Sequence, residues 1–418
     1  MRYRLVETPG GRVLIVRPRD NTFGHQALEV LMGLHMASVQ HAAVLFRRPR
    51  RVANTALFRL VCREVWVVRG LPTYVALAAE WFATATALPT AAGEALTRWY
   101  FQAVSAAAER FPRLRAARKR AKAHLGRYRR EEQQNFYGLD FRERYSHHAL
   151  SLMLPPGVGA AAARSAAQLG IAPNARIVIL HVRESGFKQA HGGESPVDAI
   201  RNARIASYVA AIDWLVDRGF TVIRIGDRWM TPIARRGVVD LATSPVRSDA
   251  LELWFCFRSV LFIGCDSGPH CVSLLTNTPC LAVNVTNVLG GYPVRSSDRY
   301  VLKHVHDRHA GRQLALEEML TKEYFEQRKD LERYGFIDNT SEEILEAVIE
   351  IVEEVLGGDA QPSAVQHAFR DIADGLYNSA LVADRRVRKG EPAQQLLGDG
   401  FIAKRFVEQY FHAMELRC

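Results

Sequence analysis

A chain of 418 residues, 48% of them hydrophobic, is too long for one ordinary core and too apolar for disorder, so two domains of typical size are expected. Its net charge of +11, carried mainly by arginine, fits nucleic acid, an anionic membrane surface or a phosphorylated substrate. The cysteines Cys62, Cys256, Cys265, Cys271, Cys280 and Cys418 form no C-x-x-C pair, which argues against a zinc or disulfide framework and for reduced thiols in the cytoplasm.

The opening residues, Met1 to Glu7, lack the apolar core of a signal peptide. Arg12 to Arg17 reads as a strand, Pro18 to Thr22 as a polar loop and Gln26 to Gln40 as a helix introduced by Phe23-Gly24-His25. A second strand is expected at Ala42 to Phe46, a helix over Ala53 to Val61 and a third strand at Glu64 to Val68. Such alternation implies a parallel sheet with right-handed crossovers, one Rossmann-like half. From Leu71 to Tyr145 the pattern changes to long helices. Leu71 to Pro89 contains Glu80 and two prolines, so it reads as a buried or interfacial helix rather than a membrane span. Arg110 to Arg130 is dense in basic residues: either a solvated helix face, or a surface for anionic lipid or a polyanionic substrate.

After the hinge-like Leu154-Pro155-Pro156-Gly157, a second alternating half begins. Ala160 to Leu169 reads as a helix and Ile177 to Val182 as a strand, followed by a long polar loop to Ala203. Ala206 to Arg218 reads as a helix, Thr221 to Ile225 and Val238 to Leu241 as strands. Ser248-Asp249 caps a helix over Ala250 to Phe257. Val260 to Ile263 is a buried strand running into Gly264-Cys265-Asp266-Ser267-Gly268-Pro269-His270, with a helix from Cys271 and a further strand from Pro279 to Asn284. Tyr300 to Lys303 is strand-like, and Thr340-x-x-Glu343 opens a helix as a capping box. Beyond a linker at Gly357 to Pro362 the chain reads as helical, ending with Ile402 to Leu416, and a lid returning to the first half is the expected role.

The turn Asp266-Ser267-Gly268 joins a strand to a helix N-terminus, the order that builds a phosphate site from free backbone N–H groups and the helix dipole. The alternative is an ordinary capped turn. Other polar groups gather at strand ends: His181-Val182-Arg183-Glu184 and Gly226-Asp227-Arg228. Ligands of open parallel sheets bind outside such carboxyl ends. Arg183 suits a phosphate through its forked guanidinium, or else pairs with Glu184 or Asp227. His270 faces either the phosphates or the core. His25, or Asp20, lies where it could take a proton from an acceptor hydroxyl, and a helix N-terminus keeps a histidine neutral for that role. H-E-x-x-H, the P-loop pattern, G-x-S-x-G and Asp-x-Asp are all absent, so no metal is expected.

Asp266-Ser267-Gly268-x-His270 with Thr278-Pro279 resembles the D-[ST]-G-x-x-H…P motif of heptosyltransferases and related GT-B glycosyltransferases, with His270 one place early in the spacing. The chain also resembles a bacterial glycosyltransferase family of surface-polysaccharide gene clusters. Those matching pieces are Phe23-Gly24-His25, Asn54-x-x-Leu57, His181 to Phe187, Arg201-Asn202, Tyr208, Arg224-x-Gly226-Asp227, Ser248-Asp249 and Asp266-Ser267-Gly268, within residues 12–355. His181-Val182-Arg183 is similar to the H-V-R of GDP-fucose-dependent fucosyltransferases, although Glu184 stands where those usually carry a second arginine. The resemblance implies a GT-B-like α/β fold: two facing Rossmann-like domains with parallel sheets, a helical insertion and a C-terminal helical extension. The boundaries would be 1–154 (insertion about 71–145), 155–357 and 358–418. It further implies a metal-independent transferase with no cofactor beyond its nucleotide-sugar donor, a GDP- or UDP-sugar first. Arg183 and the Asp266-Ser267-Gly268 helix start would hold the diphosphate, with Glu184 and His270 counted among the donor-binding residues; Gly226, Asp227 and the Thr243 to Asp249 loop, with Ser248 and Asp249, would lie near the nucleoside, and His25 would face the acceptor. That acceptor would be a glycan, a lipid-linked or a small molecule, met in the cytoplasm or peripherally at the inner membrane face, without nucleic acid. A sugar-nucleotide 2-epimerase of the same architecture and a non-enzymatic polyanion-binding protein are the competing classes.

Overall fold

The computed structural model describes residues 2–8, 11–18, 22–46, 52–68, 150–190, 192–286, 295–358, 361–383 and 399–412. The helical and basic stretches expected between 71 and 145 lie outside them. Val13-Leu14-Ile15-Val16 is apolar at every position, the pattern of a strand covered on both faces. It forms the centre of β2 (Gly11–Arg17), which pairs antiparallel with β1 (Arg2–Thr8) and parallel with β3 (Ala43–Phe46). Leu14 and Val16 face the main core of this half, while Val13 and Ile15 join Leu45 and Val68 on the other side. The crossover from β2 to β3 is α1 (Phe23–Val39).

The expected helix over Ala53 to Val61 is a single 3-10 turn, Thr55–Arg59, because the Asn54 side chain accepts the Ala56 N–H and pins a tight turn there. Among the described residues, the expected third strand at Glu64 to Val68 makes one parallel bridge, Val44 to Val67. Instead β4 (Val61–Cys62) pairs antiparallel with β5 (Leu152–Met153).

The second half is built on the strands β6 (Arg176–Leu180), β7 (Phe220–Arg224), β8 (Val238–Asp240), β9 (Ser259–Cys265), β10 (Cys280–Val285) and β11 (Arg299–Leu302). A small antiparallel sheet follows, made of β12 (His304–Asp307), β13 (Arg312–Gln313) and β14 (Tyr334–Ile337). Near the chain end, β15 (Phe401–Ile402) returns to pair with β11. The main sheet therefore runs β15-β11-β10-β9-β6-β7-β8, parallel throughout. The chain builds outward from β6 through β7 to β8, then crosses back to β9 and builds the other way. The carboxyl ends of β6 and β9 thus flank a topological switch point, where α/β sheets hold ligands. The α/β class inferred from alternation is the class observed.

Period-two alternation divides this sheet between two cores. Val178, Leu180, Val222, Leu261 and Ile263 point to one, under the helices Val209–Asp217, Ser341–Glu350 and Ala364–Ala383. Ile177, Ile179, Ile223 and Phe262 point to the other, which also contains Leu14, Val16, Leu31 and Leu34 of the first half. The halves meet through this shared apolar seam, where α1 packs on the helix Cys271–Thr276. A polar staple adds to it. The Asp249 carboxylate accepts the Thr55 N–H at 2.8 Å and its hydroxyl at 2.7 Å, and the Asn54 amide donates to the Asp249 carbonyl.

The capping box forms as expected, with the Thr340 side chain on the Glu343 N–H and Glu343 back on the Thr340 N–H. The described residues past 358 do not form a lid over the first half. Phe401-Ile402 is strand rather than helix, and the terminal helix is Lys404–Tyr410. The reason is burial: Phe369, Ile402, Phe406 and Phe411 complete the core on the second half's sheet. Phe369 has no exposure and Ile372 on the same helix is 41% exposed. Phe369→Ala should therefore cost about 3–5 kcal/mol and Ile372→Ala under about 0.5 kcal/mol, read from urea denaturation midpoints.

Candidate functional site

The switch point gathers the motifs. His181-Val182-Arg183 leaves β6 beside the end of β9, where the Arg183 N–H donates to the Cys265 sulfur at 3.0 Å. Arg183 is nearly buried, and buried guanidinium needs partners. Its side chain donates to the Asp198 carbonyl at 2.6 Å and to the Asn202 side chain, and pairs with Glu194 at 2.8 Å. Glu184 and Asp227, the partners expected for it, are engaged elsewhere. The stretch expected as a long polar loop contains two short helices, Gly186–Ala190 and Pro196–Ala199, because Ser195 caps the second through the Asp198 N–H. That turn delivers Asp198 to Arg183, Lys188 and Arg201. Coulombic attraction from Lys188 leads the causes that hold the Asp198 carboxyl below its usual range, against the opposing effect of burial.

Asp266 fixes the turn after β9. Its carbonyl and one carboxylate oxygen accept Arg201 Nε at 2.9 and 3.1 Å, and the other oxygen accepts the Thr286 hydroxyl at the end of β10. Gly268 to His270 is a 3-10 turn that continues into the helix Cys271–Thr276. Of the two orientations open to His270, the structure takes the inward one. Its Nδ1 donates to the Ser267 carbonyl, and burial holds the imidazole down to about 4. His181 is likewise buried, donates Nδ1 to the Ile225 carbonyl at 3.2 Å, and is held down to about 4 by desolvation. Burial pushes the Cys265 thiol up, so this sulfur accepts hydrogen bonds rather than acting as a nucleophile.

The first half reaches this point by backbone alone. Gly24, in the first turn of α1, sits on Gly268 so closely that a Cβ on it would fall 1.9 Å from the Gly268 carbonyl oxygen. The adjacent His25 is exposed, with Nδ1 2.7 Å from the Thr22 hydroxyl. Phe23-Gly24-His25 and Asp266-Ser267-Gly268, read separately in the sequence, are therefore in contact. Asp20 lies outside the described residues.

A second polar node ties the ends of β6 and β7. Arg224, fully buried, holds Glu184 at 2.7 Å and Asp240 at 3.2 Å. Glu184 in turn accepts the Thr231 N–H and hydroxyl. Gly226 adopts φ +150 against the Met230 sulfur, and Asp227 accepts the Trp229 N–H at 2.9 Å. Burial, the largest cause, raises the Asp227 carboxyl above its usual range. Ser248 is a helix cap, its hydroxyl accepting the Leu251 N–H, and Asp249 is spent on the staple to Thr55. Glu184, Ser248 and Asp249 thus serve the frame. Glu194 and Asp198 were not singled out from the sequence, although Ser195-Pro196-x-Asp198 carries the N-cap signature of the turn that presents Asp198. Arg201 was legible within Arg201-Asn202.

Among the described residues, no group of three or more His, Cys, Asp or Glu could hold a metal ion, and no helix is long and apolar enough to cross a membrane. No protein-family model matches the chain, and no curated protein matches it. Among solved structures, the glycosyl transferase family 9 protein from Veillonella parvula DSM 2008 is similar at 11% identity and a TM-score of 0.32, over 64% of this chain and 79% of that one. The likeness is slight, and the site stands on its own geometry.

Two outcomes test that geometry. Gly24→Ala should lower stability by at least about 1–3 kcal/mol, since backbone faces backbone and no side chain can yield. For the two buried histidines the folded value lies below the unfolded value of 6.5, so the folded state binds fewer protons. Their stabilising effect is complete above pH 6.5 and is lost as pH falls toward 4, by roughly 3 kcal/mol each at the lower limit. In NMR titrations both imidazoles should stay neutral from pH 8 to about 5, while an exposed histidine titrates near 6.5.

Proposed function

We propose that the protein is a glycosyltransferase that moves a sugar from a nucleoside-diphosphate sugar to an acceptor hydroxyl. One observation carries the reading: Arg183 and Asp266-Ser267-Gly268 flank a topological switch point, and the His25 turn abuts the same glycine. Support comes also from the cations gathered there, Arg183, Lys188 and Arg201, of which the last two are partly exposed. Glu194 and Asp198 pair with them, and a diphosphate would carry the same charge type into the same place. The backbone of the Gly268 turn would add N–H donors to the departing diphosphate. Asp227, at the outer strand end, would accept ribose hydroxyls.

In the step itself, the acceptor oxygen bonds to the anomeric carbon as the bond from that carbon to the diphosphate oxygen breaks. His25 takes the acceptor proton, and the nucleoside diphosphate leaves with the bonding pair. The charge developing on the leaving group is what the arginines would stabilise, with no metal required. A 2-epimerase would instead need acid and base carboxylates flanking the sugar, and Asp266 and Glu184 are both committed to the frame.

Thermal-shift titration with UDP, GDP, CDP, ADP and dTDP compounds, with and without EDTA, tests the reading. One nucleotide class at a hundredfold excess over its Kd should stabilise by about 2.7 kcal/mol, unaffected by EDTA, and Arg201→Ala should weaken that shift. Against a donor so identified, His25→Gln should lower kcat by about 10²–10⁴ and leave nucleotide affinity unchanged. A flat response to every nucleotide, together with tight binding of polyanions, overturns the reading in favour of a binding protein.

A further inference from the structure

In a parallel sheet that reverses between β6 and β9, the phosphates of a bound mononucleotide sit at the reversal. The nucleoside extends outward over the neighbouring strand end, here that of β7. Trp229 stands on the loop leaving β7 and is 41% exposed. Single exposed apolar residues are ordinary on surfaces, but this one stands on a loop held from several sides. Asp227 accepts its N–H at 2.9 Å, and Glu184 accepts the Thr231 N–H and hydroxyl two residues on, at 2.8 and 2.7 Å. From the side, its carbonyl oxygen and Cβ press on Gly186 so closely that a Cβ there would meet them at 2.6 and 2.7 Å. Gly186 opens the short helix that follows Arg183 and Glu184, so the Trp229 backbone and Cβ are set directly beside the loop that leaves Arg183. The Arg228 guanidinium lies over the ring, 4.7 Å from its centroid.

We infer that Trp229 is the stacking platform for the nucleobase of the donor, with Arg228 as its cationic partner. This rests on the nucleotide-sugar reading above and adds the residue that grips the base. A flat aromatic face fixed in advance loses little freedom when a base settles on it. Stacking tolerates any base, since each has a π-face. Trp229 therefore supplies affinity for the nucleoside, while its neighbours choose which one.

The test is calorimetric titration of the full chain, wild type, Trp229→Ala and Trp229→Phe, with UDP, GDP, ADP and inorganic pyrophosphate. Melting curves confirm that each variant is folded. Trp229→Ala should weaken the tightest nucleoside diphosphate roughly 10- to 100-fold, the range of base–aromatic stacking. It should leave pyrophosphate binding unchanged, and Trp229→Phe should recover most of the loss. Tryptophan fluorescence gives a second readout if the alanine variant does not fold. Nucleotide should quench wild type and not Trp229→Phe, and pyrophosphate should quench neither. Equal loss for nucleotide and pyrophosphate, or no loss for either, would overturn the platform while leaving the transferase reading in place. Failure of every nucleotide to bind wild type would overturn both.

Discussion

A guanidinium with no exposure to water dictates much of what surrounds it. Arg224 ends β7 inside the protein, and a buried charge is tolerated only where opposite charge and hydrogen-bond acceptors meet it. Glu184 comes from the end of β6, Asp240 from β8, and the Thr231 carbonyl from the loop beyond β7. Each of those segments is thereby placed relative to the same group. Glu184 then orders the loop that carries Trp229, and its neighbour Arg183 is aimed at the turn of Glu194 and Asp198. The candidate site is a consequence of how the sheet neutralises its own buried charge.

The backbone contact at Gly24 and Gly268 works differently. No side chain takes part, so the approach is limited only by atomic radii, and it brings a turn of the first half against the strand-end loops of the second. Combined with the Asp249 staple and the apolar seam, it makes the junction a packed one. The polar groups at the switch point are correspondingly dry. Arg183, Asp266 and His270 are all buried, a setting in which charge interactions are far stronger than in water.

Much of this was legible locally. β2, β3, β6, β7, β9 and β10 announce themselves as short apolar runs closed by turn residues, and the Ser248 and Thr340 caps need only their own next turn. The turn at Asp266 was readable for the same reason. What sequence could not supply was partnership over distance. Asp249 reads as a cap residue, and nothing nearby reveals that its carboxylate serves Thr55, 194 positions away. Glu64 to Val68 has the composition of a strand, yet among the described residues it makes one bridge to a neighbour, because pairing depends on what lies alongside. The antiparallel β12, β13 and β14 went unread, all being short, the first two made largely of charged, histidine and amide residues and the third interrupted by Gly335. Trp229 was overlooked because an exposed tryptophan gains meaning only when the rigidity of its loop is known.

The placement of β15 has a consequence for how the chain is made. Strand β11 is exposed as a sheet edge until Phe401-Ile402 arrives, and those residues follow it only much later in the chain. An open edge carries unpaired backbone groups that can pair with another chain. During synthesis the second half therefore stays unfinished until Phe401-Ile402 has left the ribosome, with Phe369 and its neighbours lacking their final cover. Nascent chains of this protein would depend on protection from one another through that interval, and chains terminated before Phe401 would keep that edge open and prone to association.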